Sequence, residues 1–336
     1  MDSKSSDKQD VYRDIPLDPA IALQKVMLSE VDLADNTFRI TTCTDLDKLV
    51  LSIHKLGLMH PPVLKYNSPG YVIVCGFRRI AACLNLGWTQ VPARVLKENF
   101  GRFELAQLAI ADNALQRSLN LLETSRAMKL LVDVCTDQKQ LKKASQDLGL
   151  PSSLSVAAKV EKICRLPLKI QEGILADTIN MSMALELGRL DPEVGEGLLE
   201  LFSQLKVGLN KQRELLLLLK EIAKREDIPI PQMIAEKALQ DILKPVELDR
   251  AVKRQKIRSY LRRRRFPSIS RAEEKYEKLV KQLKLGKNIN LIPPKDFEGM
   301  TYMMTFRFDN REELNNVKEK FEKIIHHPSF GKILDR

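Results

Sequence analysis

Residues Tyr71 to Ala82 read YVIVCGFRRIAA. Tyr71, Val72, Ile73 and Val74 are apolar and aromatic or β-branched, the composition of a buried strand. Gly76 lets the backbone turn or approach a ligand closely. Arg78 and Arg79 follow, and Ile80, Ala81, Ala82, Leu84 and Leu86 continue as a helix that packs inward. A strand, a glycine and two cations at a helix start suit a phosphate, because backbone N–H groups and guanidinium forks both point at it. The same pattern also fits two arginines that only decorate a helix start.

Working outward, Leu46, Leu49, Val50 and Ile53 fall at helical spacing across Asp45 to Leu56, with Thr44 or Asp45 able to cap the helix. Segments 62–66 and 71–75 flank Asn67-Ser68-Pro69-Gly70, a hairpin signal. Helices are expected over 103–116 and 122–134. Leu141, Ala144, Ser145 and Leu148 then form one helix face, which Gly149 and Pro151 interrupt. Ser153 or Ser155 caps a second helix with Val156, Ala157, Val160 and Ile163 inside. Small residues at Ala144, Ser145 and Ala157 suit the close crossing of a helix-turn-helix, with Lys159, Lys162 and Arg165 facing out. Residues 194–243 are leucine-rich and helical, interrupted by Pro229 and Pro231.

Composition shifts over 244–271, where Arg250, Lys253, Arg254, Lys256, Arg258, Arg262, Arg263, Arg264 and Arg265 crowd together. Such a run reads either as a solvated flexible linker or as a non-specific phosphate-binding strip. The last segment reads as a helix over 272–285, strands over 288–292 and 301–308, and a helix over 312–325. In the second strand Tyr302, Met304, Phe306 and Phe308 share one side. Two strands and two helices bury little area alone, so self-association is expected.

The chain has 336 residues, 44% of them hydrophobic, enough for two or three domains with a sizeable core. A net charge of +11 favours an anionic partner, nucleic acid ahead of membrane. Five cysteines without a CxxC pair and four histidines without metal-ligand spacing argue against a disulfide framework and a zinc site, and for reduced thiols. No apolar run reaches the roughly 18 residues of a membrane span. Residues 1–20 read as a disordered arm, polar and charged through residue 15.

Gly76-Phe77-Arg78-Arg79 resembles the GERR box of the ParB/Spo0J family of DNA-partition proteins. Gly57-Leu58-Met59-His60-Pro61-Pro62-Val63 is similar to that family's "G(V/L)xQPxxV" segment, and Gly87-Trp88-Thr89-Gln90-Val91-Pro92-Ala93 to its "GxxxVPA" connection. Asp112 to Glu123 resembles the "ENxQRxxLNPxE" box: Asp112-Asn113 matches the acid–amide pair, and Leu119-Asn120 and Glu123 keep the register. Gln116-Arg117 sits one residue late, so either the helix end is shifted or that part is not equivalent. Arg165 to Glu172 is similar to "RLLxLPxxVQE", and Asn36 and Arg39 are what remains of the "NPxQPR" loop. Two departures stand out: Phe77 replaces the family's glutamate, and Leu154 replaces the arginine often found in "SRSxV".

The resemblance implies an α+β protein: a sulfiredoxin-like ParB nucleotide-binding α/β domain over 21–120, an all-α helix-turn-helix domain over 121–243, a basic linker over 244–271 and a helix–strand–strand–helix dimerisation domain over 272–336. It implies CTP held by Gly76, Arg78, Arg79, Gln116 and Arg117, with Mg²⁺ on Asp112 and Asn113. It implies double-stranded DNA read by Ser153, Ser155, Lys159, Lys162 and Arg165, with Arg262, Arg263, Arg264 and Arg265 on phosphates. The implied function is a homodimeric, CTP-gated clamp that loads at a centromere-like site. It would be cytoplasmic and nucleoid-associated, away from membranes, with a ParA-type ATPase as a partner. Phe77 in place of glutamate leaves at most a slow CTPase. Two other classes stay open: a helix-turn-helix transcription regulator with a degenerate nucleotide pocket, and a nuclease or sulfiredoxin-like phosphotransferase. The enzyme would need a catalytic cysteine, whereas Cys75 reads as a buried strand residue.

Overall fold

The structure is a computed structural model that describes residues 23–96, 100–245 and 247–335; the arm read over 1–20 lies outside them. Packing divides the chain into two units, 1–199 and 200–336.

The first unit is built on five strands, β1 (Leu23–Met27), β2 (Val31–Asp32), β3 (Val63–Asn67), β4 (Gly70–Cys75) and β5 (Gln90–Leu96). Their order is β1-β5-β3-β4-β2. The sheet is mixed: β1 with β5 and β3 with β4 are antiparallel, while β3 with β5 and β2 with β4 are parallel. The helices are α1 (Asp47–Leu56), α2 (Phe77–Asn85), α3 (Arg102–Ala114), α4 (Leu121–Val134), α5 (Gln138–Asp147), α6 (Leu154–Val160), α7 (Leu168–Leu175) and α8 (Met181–Leu187), with a 3₁₀ turn at Glu161–Arg165 after α6; the boundary between the units falls within α9 (Pro192–Leu205).

The continuous apolar run of β4 follows from burial on both faces. Ile73 joins a core with Val26, Ile53, Leu64, Ile80 and Val91, whereas its neighbour Val74 joins another with Leu105, Ile110, Met128 and Leu131. That second core also contains Ala144 of α5, Leu148 at its C-terminal cap, and Ala157 and Val160 of α6. The boundary read at 120/121 is therefore not a break in packing: the sheet and helices α5 and α6 share one apolar interior. Phe77 packs against both cores, which explains an aromatic residue at a position where the resemblance expects a carboxylate.

The second unit contains α10 (Leu209–Glu226), α11 (Ile230–Ala235), α12 (Lys237–Leu243), α13 (Arg250–Arg265), α14 (Pro267–Leu283), β6 (Ile289–Ile292), β7 (Met303–Phe306), α15 (Arg311–Ile325) and α16 (Pro328–Leu334). Where the sequence reads a basic linker, α13 is an ordered helix. Asp249 caps it by accepting the Ala251 N–H at 3.0 Å, and Ile257 and Leu261, one turn apart, are buried. Strands β6 and β7 pair antiparallel, and Leu283, Ile289, Leu291, Val317 and Ile324 pack with Ile333 of α16, a helix beyond the last one expected. Tyr302 and Met304 pack against this core, but Phe308 lies past the strand end and is exposed. Phe306 is 37% exposed and meets Phe321 edge-on at 5.3 Å. No helix among the described residues is long and apolar enough to cross a membrane.

Leu131 is fully buried in the core common to the sheet and to α5 and α6. Leu131→Ala should cost about 2–5 kcal/mol in urea unfolding of the full chain. The sheet and the 138–165 helices should unfold together; two resolved transitions would contradict a common core.

Candidate functional site

The turn from β4 into α2 builds one end of a cavity of about 270 Å³. Gly76 is the residue before the helix, with φ at +95°, a left-handed conformation that L side chains avoid. A Cβ there would lie 2.9 Å from the Pro62 Cβ, so both conformation and space select glycine. No side chain caps the N-terminus of α2, which leaves the first-turn N–H groups available to an anion.

The sequence-derived nucleotide and metal residues come together here: Gly76, Arg78, Arg79, Asp112, Asn113, Gln116 and Arg117 all line this cavity, with Thr41 and His60. Their side chains are differently engaged. Arg79 donates to the carbonyls of His60 at 3.1 Å and Pro61 at 3.3 Å, and to Asp112 Oδ2 at 2.9 Å. It therefore ties the loop before β3 to α3. Arg78 donates through Nη2 to the Asp45 carbonyl at 2.6 Å, yet its Nε is buried with no partner. Asn113 donates to the Ala109 carbonyl at 2.9 Å, and Gln116 Nε2 stands 3.4 Å from Asp112 Oδ1. Among the described residues no three His, Cys, Asp or Glu side chains form a metal cluster, so Asp112 is a lone carboxylate.

Burial, helped by the Asp112 charge and opposed by Arg79, pushes the Cys75 thiol up to about 12. A thiol held this high is protonated at neutral pH, the state of a structural rather than a reactive cysteine.

Arg117, at the cavity wall, donates in a fork to Glu123, with both contacts at 2.7 Å. The Glu123 side chain is 1% exposed and also accepts the Thr42 N–H at 2.9 Å and the Asn120 N–H at 3.2 Å. Asn120 returns a bond from the Glu123 N–H, which closes a capping box at the start of α4. Burial alone would raise the Glu123 pKa; the Arg117 fork and the Thr42 and Asn120 N–H groups outweigh it and hold the carboxyl down at about 2. Sequence reasoning matched Glu123 to a motif without a role. Its partner Thr42 lies 81 residues upstream, beyond any local pattern.

The sequence-derived DNA residues fall into two places. Ser153, Ser155, Lys159, Lys162 and Arg165 are exposed along α6 and the turn after it, and the Ser153 and Ser155 hydroxyls are 3.2 Å apart. Arg165 is ion-paired with Glu161. Leu154, at the position of the missing arginine, is 42% exposed. In the second unit Arg262 meets Glu273 at 3.0 Å, Arg263 meets Glu274 at 3.6 Å, Arg264 is held by Glu226 and Glu236, and Arg265 meets Glu221 at 2.6 Å. These guanidinium groups are occupied by carboxylates, which differs from the open phosphate-binding strip read from the sequence.

Residues 20–114 match the family model of the ParB N-terminal domain. Over 161 residues the chain is 29% identical to a nucleoid occlusion protein of Geobacillus sp. strain WCH70, covering 47% of this chain and 54% of that protein. Over 156 residues it is 31% identical to a probable chromosome-partitioning protein ParB of Chlamydia trachomatis serovar D, covering 44% and 53%. The chain thus spans about half the length of these curated relatives. Among solved structures, a C-terminally truncated ParB of Caulobacter crescentus complexed with CTP-gamma-S aligns at 20% identity and a TM-score of 0.26, over 54% of this chain and 98% of that one.

Glu123 supplies the pH test. Its folded pKa lies below the unfolded value, so its contribution is complete above the unfolded pKa of about 4.3 and is lost as pH falls toward about 2. The shift corresponds to about 3 kcal/mol. Glu123→Gln should destabilise the chain by about that amount at neutral pH and flatten the stability profile between those pH values in urea titrations. An equally steep acid limb in the variant would assign it to other groups.

Proposed function

We propose, from a chain that carries a ParB N-terminal domain over residues 20–114, a DNA-partition protein whose first unit binds CTP and whose α5–α6 segment reads duplex DNA. The observation that carries the nucleotide reading is Arg78 Nε, a buried donor without a partner in a cavity that also opens onto the uncapped start of α2. A buried unsatisfied guanidinium nitrogen is costly, and a phosphate oxygen satisfies it. Arg78 and the first-turn N–H groups bind the triphosphate. Arg79 acts by position, holding the His60–Pro61 carbonyls and Asp112 together.

Asp112 and Asn113 are the residues that would hold Mg²⁺; one carboxylate and one amide suit an ion that draws its other ligands from phosphates and water. A bound Mg²⁺ supplies neutralising charge at the phosphates. Phe77 brings no carboxylate to the cavity, so the pocket serves as a binding switch with little hydrolysis.

On α6, Ser153, Ser155 and Lys159 face outward with Leu154, whose exposed side chain offers an apolar contact to a thymine methyl group in place of an arginine's bond to guanine. Lys162 and Arg165 extend the same cationic edge toward phosphates. Residues 267–334 dimerise the chain through the apolar surface around Phe306, Phe308, Leu314 and Ile325, which the unit leaves exposed. The assembly is a clamp loaded at a specific DNA site and gated by CTP, with a ParA-type ATPase as the partner the family resemblance points to. A second reading, a transcription regulator without nucleotide control, draws on the Arg79–Asp112 and Arg117–Glu123 pairs, which engage two of the pocket's cations without a ligand.

Arg78→Ala should weaken CTP binding by roughly ten- to a hundredfold in calorimetry, the loss of a charge-assisted contact of about 1.5–3 kcal/mol. Equal affinity in wild type and variant, or no CTP binding by either, would favour the regulator. Full-length chain at micromolar concentration should sediment as a dimer, and Phe306→Asp should shift it toward monomer. A monomeric wild type would remove the clamp.

A further inference from the structure

A second groove of about 710 Å³ lies in the first unit between the segment around residues 36–44 and α4. Arg39, Arg102, Arg126 and Lys129 line it, and Asp133 is its one lining carboxylate. Arg126, Lys129 and Asp133 are spaced three and four residues apart, on one face of α4. Arg126 is half-buried and donates to the carbonyls of Thr41 at 2.8 Å and Ile40 at 3.4 Å. Burial, and then the neighbouring Arg39 charge, pull its pKa below the usual guanidinium value. Among the described residues none of these four cations has an ion-pair partner, whereas Arg262, Arg263, Arg264 and Arg265 each have one. Four cations against one carboxylate form a site of positive potential that draws an anion.

The lining tells which anion. Among the described residues no aromatic side chain lines the groove, so they offer a nucleotide base no stacking surface there. Thr37, Thr41 and Thr44 instead offer hydroxyl groups of the kind that meet phosphate oxygens. The groove also reaches Cys164, in the turn that follows α6. The Cys164 N–H donates to the Ser125 hydroxyl of α4 at 2.8 Å, so one helix carries the groove and braces the α6 segment.

We infer that this groove is a second phosphodiester contact, taking the sugar-phosphate backbone of the duplex that α6 reads. The inference rests on the reading of α5–α6 as a DNA reader. It assigns Arg102 and Lys129, with Arg126 behind them, to backbone positioning, while α6 carries sequence preference.

The test uses the full chain and a short random-sequence duplex, with the affinity followed against sodium chloride concentration. Arg102 and Lys129 are exposed, so the double variant Arg102→Gln/Lys129→Gln leaves the interior untouched. Each lost phosphate contact should flatten the log–log salt slope by about 0.9, so the double variant should lose about 1.8 on any sequence, and Lys129→Gln alone about half of that. CTP affinity should be unchanged. An unaltered slope beside a wild type that binds duplex overturns this inference alone. A wild type that binds no duplex overturns the DNA-reader reading and this inference with it. A variant that loses CTP affinity while keeping its slope gives the groove to the nucleotide and also overturns it.

Discussion

A single buried carboxylate fixes the geometry of the first unit. Glu123 sits in the interior with donors from both arms of Arg117, the Thr42 N–H and the Asn120 N–H. An unpaired buried charge would cost several kcal/mol, so the arrangement is stable only while every donor is present. That requirement joins three segments far apart in sequence: the loop at residues 41–42, the end of α3 and the start of α4. The loop and Arg117 both border the cavity that Arg78 faces, so its walls are set by a bond network rather than by loop flexibility. On the opposite side, Arg79 performs a similar service for the His60–Pro61 loop and Asp112.

Much of the first unit is legible in local pattern. The β-branched run at 71–74, the turn at 67–70 and the small residues at 144, 145 and 157 each carry their own short-range physics, and the strands and helices stand within a few residues of where that physics puts them. The cavity-lining set is legible too, because the glycine, the two arginines and the acid–amide pair mark it directly. The state of each side chain is not. That Arg79 spends its donors on carbonyls and Asp112, while Arg78 keeps a nitrogen free, depends on where the backbone of residues 60–62 arrives in space. Helix α13 was hidden for a different reason: its buried positions, Ile257 and Leu261, are outnumbered by charges, so composition speaks louder than period.

The arginine run shows how charge can mislead when it is counted locally. Its neutralising acids, Glu221, Glu226, Glu236, Glu273 and Glu274, come from α10, α14 and the stretch beside α12, up to 44 residues away. Arg225 adds a further brace by donating to the carbonyls of Arg264 and Arg265 at the last turn of α13, where unpaired carbonyls collect. Arg262, Arg263, Arg264 and Arg265, which read as the core of a cationic strip, are each compensated by an acid at the end of α13.

The common interior of the sheet and helices α5 and α6 bears on how such chains diversify. If α5 and α6 were an independent module, they could be exchanged whole without disturbing the sheet. Here Ala144, Leu148, Ala157 and Val160 share one buried cluster with Leu131, Met128 and Ile110, so a transplanted segment would bring mismatched volumes into the cavity-bearing domain. The outward residues of α6 and the turn after it are exposed, positions where a substitution leaves this interior untouched. Inheritance by point substitution, rather than by exchange of parts, is the route this packing leaves open.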